Sequence, residues 1–171
     1  WLDEDLLQIY LIDVSGHGIG PALLSMSVHN VVRSGSLPIT TLLRPDRVLT
    51  KLNSLFPMED QGGNYFTMWY GIYDSSTRSL QYASGGHQPA LALTPGPDGH
   101  RVCTPLATTA LPVGMFADST FPASTYIVPA GCRMLLFSDG AYEFALPDGR
   151  QFTLDEFVDL LTGRPIRLED A

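Results

Sequence analysis

The sequence predicts an α+β fold, in which helices and an antiparallel sheet occupy separate stretches of the chain. Residues 8–24, QIYLIDVSGHGIGPALL, begin as a short apolar strand and pass through a glycine turn into a helix. A second helical pattern covers residues 45–56. Residues 65–73 and 80–83 are rich in aromatic and β-branched side chains, and the short turn 74–78 between them is typical of an antiparallel hairpin. Helices followed by an antiparallel pair indicate an α+β domain.

The composition is that of a globular protein with a hydrophobic core. The chain has 171 residues, of which 44% are apolar, and this is enough for one domain. Its formal charge of −8 and its lack of a basic run argue against nucleic acid as a partner. No apolar run is long enough to cross a membrane and no signal peptide leads the chain, so we expect no membrane insertion and a cytoplasmic location.

The two cysteines indicate the redox compartment, and the first residue indicates that the chain is a fragment. Cys103 and Cys132 are isolated, with no CxxC and no histidine at zinc spacing, which favours a reducing compartment and two structural cysteines. The sequence does not decide whether a disulfide joins them. The chain begins with Trp1 rather than methionine, so we expect it to be a piece of a longer protein.

The first strand is predicted to deliver a carboxylate to its tip. The apolar run at residues 9–12 indicates a core strand, and Asp13 follows it directly. From Pro21 onward, apolar residues return at helical spacing until near Gly35, and proline suits a first helical turn. A strand, a glycine turn and a helix are therefore predicted to meet at Asp13.

Several chemistries could use this arrangement. The glycines of the turn could hold a phosphate at the helix N-terminus, but the last small residue of the dinucleotide fingerprint would fall on Pro21. Ser15 is a poor hydrolase nucleophile because the residue two places before it is Asp13 rather than glycine. Asp13 could instead bind a hard cation at the mouth of a cleft. An aspartate that merely ends a strand and caps a turn is an equally good interpretation of Asp13 alone.

The middle of the chain is predicted to alternate between loops and short strands. Loops are expected at residues 37–45, 58–64, 84–89, 94–100 and 111–115, and strands at residues 90–93 and 121–129. His87 lies on a glycine turn between two strands, where a structural hydrogen-bonding role is favoured. His17 follows Asp13 inside the first glycine turn, from which it could contact a bound anion.

A second apolar strand is also predicted to end in aspartate. Residues 134–137 form this strand, Asp139 stands at its tip, and residues 154–161 are predicted as a helix capped by Thr153. Two carboxylates that converge in a partly buried cleft repel each other and lose hydration, and a divalent cation removes both costs. Oxygen ligands select magnesium or manganese rather than zinc. The sequence pattern does not show that the strands of Asp13 and Asp139 are neighbours.

Four motifs in one order carry a family resemblance. They are DVSGHG at 13–18 with PALL at 21–24, YASGGHQP at 82–89, LPVG at 111–114, and FSDG at 137–140 with Glu143. In this order they resemble the bacterial SpoIIE-like (RsbU-like) branch of the metal-dependent protein serine/threonine phosphatases, the PPM family. The similarity runs from about residue 6 to residue 161, and the first and last motifs are the specific ones.

The resemblance implies a four-layer αββα sandwich, in which two antiparallel sheets are flanked by helices. It implies two Mn²⁺ or Mg²⁺ ions, with Asp13 bridging both, the backbone carbonyl of Val14 as a further ligand, and Asp139 holding one ion. Asp170 stands roughly where a C-terminal metal aspartate of the family would fall. His17 is expected to orient the phosphate or a water. Asp13 and Asp139 are thus the expected catalytic residues.

Compared with the family's motifs, the chain lacks features at both of its ends. A Gly-Gly-Asp motif, which carries another metal aspartate, would lie on a strand before Trp1. The strand expected after Asp170 is absent from the sequence. We therefore expect residues 1–171 to be one PPM-type phosphatase domain that is truncated at both ends, lacks N-terminal strands and binds metal incompletely.

The implied function is hydrolysis of phosphoserine or phosphothreonine on a protein substrate in a bacterial signalling pathway. The family's substrates are commonly anti-sigma-factor antagonists of the STAS type. Its members are often output domains of response regulators or sensors, so a regulatory domain is expected upstream, and homodimerisation is left open. The alternative is a catalytically silent PPM-fold module that binds and regulates a partner protein.

Overall fold

A computed structural model describes residues 1–96 and 99–163, which form two compact units. The first contains Trp1–Pro89 and Ala107–Val128, and the second contains the described residues within 90–106 and 129–163. The strands are β1 (Leu6–Val14), β2 (Phe66–Asp74), β3 (Ser79–Gly85), β4 (Ala90–Pro95), β5 (Arg101–Leu106), β6 (Ser124–Ile127) and β7 (Arg133–Leu135). The helices are α1 (Ile19–Arg33), α2 (Ile39–Leu42), α3 (Pro45–Leu55) and α4 (Leu154–Thr162), with single 3₁₀ turns at Met58–Gln61 and Asp139–Ala141.

Each unit contains one antiparallel sheet. The first sheet has the order β1-β2-β3-β6 and the second has the order β5-β4-β7. All neighbouring strands pair antiparallel, and the predicted hairpin is formed by β2 and β3. The prediction of an α+β fold with two antiparallel sheets and helices is therefore confirmed.

Strand β1 differs from its prediction, because it is an edge strand rather than a core strand. Among the strands that the structure describes, it pairs only with β2, with Tyr10 opposite Tyr70 and Val14 opposite Phe66. All nine of its residues are half-buried. It is also longer than the predicted run at 9–12, because pairing with β2 continues through Asp13 and Val14. A continuous apolar run is typical of a strand inside a sheet, but the run itself does not show how many neighbours the strand has.

The helices of the first unit cover one face of its sheet. The buried core of this unit includes Leu24, Val28 and Val32 of α1, Val48, Leu49 and Leu52 of α3, and Phe66, Met68, Tyr70 and Ile72 of β2. Helix α3 confirms the helix predicted for residues 45–56, and its Leu55 is 41% exposed. Helix α1 begins at Ile19, two residues before Pro21, and the short α2 lies within a predicted loop.

The predicted loop at 111–115 lies on the core of the first unit. Val113 and Phe66 exchange two backbone hydrogen bonds, of 2.8 and 3.2 Å. The buried Asn53 of α3 holds the next part of the loop, since its Oδ1 accepts from the Gly114 N–H at 2.7 Å and its Nδ2 donates to the Phe116 carbonyl at 3.0 Å. A buried amide with its donors and acceptor satisfied holds this loop in one conformation.

In the second unit the central strand is β4, and its residues 90–93 are buried. Its neighbour β5 has no predicted counterpart, because its sequence RVCTPL contains a proline and little apolar periodicity. The other neighbour, β7, ends at Leu135, earlier than the predicted strand. Strand β4 begins at Ala90, so it offers β7 no partner beyond residue 136. No disulfide joins Cys103 and Cys132.

Helix α4 begins with a capping box, which confirms Thr153 as its cap. The Thr153 hydroxyl accepts from the Glu156 N–H at 3.3 Å, and the Glu156 carboxylate accepts from the Thr153 N–H at 2.9 Å. The Arg150 guanidinium donates to the same carboxylate at 2.6 Å. None of the helices in the described part of the chain is long and apolar enough to span a bilayer.

The Glu156 carboxylate is expected to make the stability of the fold depend on pH. Its hydrogen bond from the Thr153 backbone, followed by those from Arg150 and the Thr153 hydroxyl, lowers its pKa from the ordinary value of 4.5. A depressed folded-state pKa stabilises the fold above the unfolded value, and this stabilisation is lost as the pH falls through the folded pKa. We therefore expect Glu156→Gln to melt at a lower temperature than the parent at pH 7.

The same comparison below pH 4.5 should show a smaller difference, because the stabilisation by the charged form is lost as the pH falls through the depressed pKa of the folded parent. The measurement is the midpoint of thermal unfolding by circular dichroism. Hydrogen bonds from Ser76 and Thr77 also lower the pKa of Asp74. Asp74 is present in both proteins, so its titration does not contribute to the difference between their melting temperatures. A melting difference that is constant between the two pH values would contradict the prediction.

Candidate metal centre

Asp13 is the next-to-last residue of β1, where it lies opposite Thr67 of β2 and is half-buried. Side chains alternate between the two faces of a strand. Tyr10, Ile12 and Val14 pack against the core beneath the helices. The Asp13 side chain therefore belongs to the sheet face that these helices do not cover, and it reaches this face where β1 ends.

The carbonyl of Val14 points away from β2. The N–H of Ser15 donates to the carbonyl of Tyr65 at 2.9 Å, so this N–H faces β2. The Val14 carbonyl belongs to the same planar trans peptide as the Ser15 N–H and points the opposite way. Since β1 has no other neighbour among the described strands, the carbonyl faces the open edge of the sheet. An oxygen donor thus lies beside Asp13 at this edge.

Two glycines turn the chain from β1 into α1. Gly16 has φ 84° and Gly18 has φ 102°, which are left-handed conformations that favour glycine. A Cβ on Gly16 would also approach the Asn64 Oδ1 to 3.3 Å. The turn leaves His17 exposed to solvent, directly between the strand and the helix.

Asp139 is placed differently from its prediction. Because β7 ends at Leu135, Asp139 does not stand at a strand tip but opens the 3₁₀ turn Asp139–Ala141. Its backbone carbonyl accepts from the N–H groups of Tyr142 and Glu143 at 2.9 and 2.8 Å. Its side chain is exposed. The turn, rather than the strand, therefore sets the position of this carboxylate.

Three aromatic rings anchor the Asp139 turn within the second unit. Phe137 and Tyr142 flank the turn, and both rings contact Phe157 of α4, with centroid distances of 5.2 and 6.3 Å. The Phe137 and Tyr142 rings meet edge to face at 6.2 Å. Burial raises the pKa of Tyr142, and the negative charges of Glu143 and Asp139 raise it further. The phenol therefore stays neutral at physiological pH and serves packing.

The structure groups some of the predicted site residues and leaves others untested. Asp13, Val14 and His17 lie together at the end of β1 in the first unit. Asp139 lies in the second unit, and its convergence with Asp13 stays a prediction. Asp170 lies outside the described residues.

The donors at the end of β1 fit a hard divalent cation in type. Carboxylate and carbonyl oxygens are the ligands that Mg²⁺ and Mn²⁺ prefer. Within residues 1–96 and 99–163, no group of three or more His, Cys, Asp or Glu side chains could hold a metal ion. The two donors at the end of β1, the Asp13 carboxylate and the Val14 carbonyl, are both oxygens.

A family model for Stage II sporulation protein E (SpoIIE) matches residues 3–170, which is nearly the whole chain. The chain belongs to the SpoIIE family.

This SpoIIE-family chain is similar to two curated proteins of Bacillus subtilis (strain 168). It is 32% identical over 146 residues to the phosphoserine phosphatase RsbP, covering 83% of this chain and 34% of RsbP. It is 29% identical over 147 residues to the phosphoserine phosphatase RsbU, covering 86% of this chain and 42% of RsbU. The chain therefore spans less than half of the length of either relative.

A solved structure shares the fold of this SpoIIE-family chain. It contains the RsbU and RsbW domains of Rv1364c from Mycobacterium tuberculosis, with a TM-score of 0.72 and 24% identity. The match covers 93% of this chain and 42% of that one.

Two features of this SpoIIE-family chain were not predicted from the sequence. Ser15, set aside as a nucleophile, pairs with Tyr65 through both its backbone N–H and its hydroxyl, at 2.9 and 3.0 Å. The Nδ1 of His29 on α1 lies 3.0 Å from the hydroxyl of Tyr10 on β1. Neither contact has a sequence signal, because each joins residues that are far apart in the chain. His87, by contrast, is buried, with its Nδ1 3.1 Å from the Gln88 carbonyl, which agrees with the structural role favoured for it.

Proposed function

We propose that the whole protein hydrolyses phosphoserine or phosphothreonine on a protein substrate with the help of two Mn²⁺ or Mg²⁺ ions. The observation that carries the proposal is the end of β1, where the Asp13 carboxylate and the outward-facing Val14 carbonyl are adjacent oxygen donors. RsbP and RsbU are named as phosphoserine phosphatases, and this supports the same reaction here.

Each residue of the proposed site has its own part in holding the ions. Asp13 would hold both ions, the Val14 carbonyl would supply a further oxygen, and Asp139 would hold one ion. Asp170 would complete the set. When bound, the ions would supply the positive charge that stabilises a phosphoryl group during in-line displacement. A second carboxylate near Asp13 would then carry no repulsive cost.

His17 is proposed to meet the phosphate of the substrate. It is exposed, and the turn that carries it connects Asp13 to the start of α1. An imidazole at this point can donate a hydrogen bond to a phosphate oxygen. It would orient the phosphoryl group without itself forming a bond to phosphorus.

The open edge of β1 supports a further strand in the whole protein. The backbone groups of Gln8, Tyr10 and Ile12 point to the same side as the Val14 carbonyl, because they alternate in the same register with β2. We propose that an upstream strand bearing the Gly-Gly-Asp aspartate pairs there. The proposal includes an upstream regulatory domain, a STAS-type phosphoprotein as substrate and a cytoplasmic location, and it leaves homodimerisation open.

A second candidate is a catalytically silent module that binds a partner protein. It is favoured by the lack of any three-residue metal cluster among the described residues. The residue that the whole protein places on the strand paired with β1 separates the two candidates. An aspartate there favours the phosphatase, and a residue that cannot bind metal favours the binding module.

The test is hydrolysis of a phosphoserine peptide by the whole protein, measured as release of inorganic phosphate. We expect activity with Mn²⁺ or Mg²⁺, loss of activity after treatment with EDTA, and recovery when either ion is restored. Asp139→Asn should reduce the rate by about a hundredfold, because a ligand charge is lost while the shape is kept. Hydrolysis that persists in EDTA, or no hydrolysis of any phosphoserine or phosphothreonine protein, would rule out the proposed function.

A further inference from the structure

Ser15 interrupts the β1–β2 ladder in an unusual way. In a regular hydrogen-bonded pair of an antiparallel ladder, two opposed residues exchange both of their N–H···O=C bonds. Ser15 and Tyr65 are such a pair by register, and the Ser15 N–H donates to the Tyr65 carbonyl at 2.9 Å. The return bond goes elsewhere, because the Tyr65 N–H donates to the Ser15 hydroxyl at 3.0 Å.

This arrangement frees the carbonyl of Ser15 from β2 and keeps its N–H bonded to β2. The Ser15 carbonyl is released from β2, so the chain can enter the left-handed conformation of Gly16 at once, with φ 84°. The Ser15 N–H stays held, and it shares a rigid peptide plane with the Val14 carbonyl. The direction of that carbonyl is therefore set by the Ser15–Tyr65 pair.

We propose that Ser15 is a positioning residue of the metal-binding end of β1. Its hydroxyl takes the place of its own carbonyl as an acceptor, so that the turn begins immediately after Val14 while the Val14 carbonyl and the Asp13 carboxylate keep their orientation. This inference rests on the proposed function. It assigns to Ser15 no contact with an ion or with substrate.

The energetic reason lies in the half-buried Tyr65 amide. Without the hydroxyl, that N–H must either lose its partner or recapture the Ser15 carbonyl. Recapture would extend the regular ladder and pull the chain away from the Gly16 turn. Either change loosens or rotates the peptide that carries the Val14 carbonyl, and residues that support metal ligands in this way typically contribute tenfold or more to affinity.

The experiment compares Ser15→Ala, Ser15→Thr and Ser54→Ala in the whole protein by calorimetric titration with Mn²⁺. We expect Ser15→Ala to weaken Mn²⁺ binding by about tenfold. Ser15→Thr, which keeps the hydroxyl, should bind within about threefold of the parent. Ser54→Ala is the matched control, because the exposed Ser54 hydroxyl donates only to the Lys51 carbonyl within α3.

Amide hydrogen exchange of Tyr65, followed by NMR in the absence of metal, gives a second measurement that does not depend on the variants. Slow exchange in the parent is expected, and exchange as fast as in an open loop would overturn the inference. Unchanged Mn²⁺ affinity in Ser15→Ala, or equal losses in Ser15→Ala and Ser15→Thr, would also overturn it. A parent that binds no Mn²⁺ and hydrolyses nothing would instead refute the proposed function, so the two failures are distinguishable.

Discussion

Replacing Asp13 by asparagine is expected to reduce Mn²⁺-dependent phosphatase activity by about a thousandfold, equal to about 4 kcal/mol of transition-state stabilisation. Asparagine keeps the size and shape of the side chain at the end of β1 but removes the negative charge. Metal binding by Asp13, as proposed, would depend on that charge, because an amide oxygen is a much weaker partner for a hard cation. The rate should be measured on a phosphoserine peptide with saturating Mn²⁺.

The same variant separates a metal ligand from a structural cap. If Asp13 binds metal, Asp13→Asn should melt at or above the temperature of the metal-free parent, because a half-buried charge has been removed. If Asp13 only caps the turn, the variant should melt lower and retain activity. Asp118→Asn, which changes an exposed aspartate of the first unit, is the control and should leave both quantities unchanged.

Gly114→Ala is expected to cause the largest loss of stability from a single methyl group, about 2–5 kcal/mol. Gly114 is buried and has φ 87°, and an added Cβ would overlap the carbonyl oxygen of Phe56. The loop cannot move aside easily. The Gly114 carbonyl accepts from the Met58 N–H at 2.8 Å, and its N–H is held by Asn53.

Gly35→Ala separates the two causes of that loss. Gly35 has a similar φ of 74°, but nothing lies within 4 Å of its added Cβ. It should therefore show the backbone cost alone, about 1–2 kcal/mol. Chemical denaturation of both variants gives the comparison. Equal losses in the two variants would mean that steric overlap at Gly114 is relieved by movement of the loop.

Local signals account for the parts of the fold that the sequence predicted well. The turn between β2 and β3 is short, so the hairpin follows from chain connectivity alone. Thr153 and Glu156 stand three residues apart at the start of α4, and their mutual hydrogen bonds form a capping box, which is a signature of a helix N-terminus. In both cases the residues that decide the structure are near neighbours in the sequence.

The errors in the strands concern contacts between distant residues. The apolar character of β1 indicates a strand, but whether that strand has one neighbour or two depends on the rest of the sheet. The strand β5 forms because β4 offers it an edge, in spite of Pro105. Similarly, β7 ends where its pairing with β4 ends, so Asp139 falls on a turn.

In the candidate site, too, local features were predicted and contacts between distant residues were not. The motif of Asp13 to Gly18 predicted the strand, the turn and the helix in the right order. It did not predict that Ser15 supports the turn through Tyr65, because Tyr65 lies on the opposite strand. A motif shows which types of donor group are present. The orientation of those groups depends on residues that come near only when the chain folds.

The packing of Phe157 on the turn of Asp139 has a practical consequence for shortening this protein. Phe157 belongs to the last described helix and contributes no charge, yet its ring is one of the three that support the acidic turn. A stop codon ahead of Phe157 would leave Asp139 in the polypeptide but would remove both Asp170 and the ring that packs on the turn. Replacing Phe157 alone, by contrast, would keep every aspartate and remove only the packing that supports the backbone of Asp139.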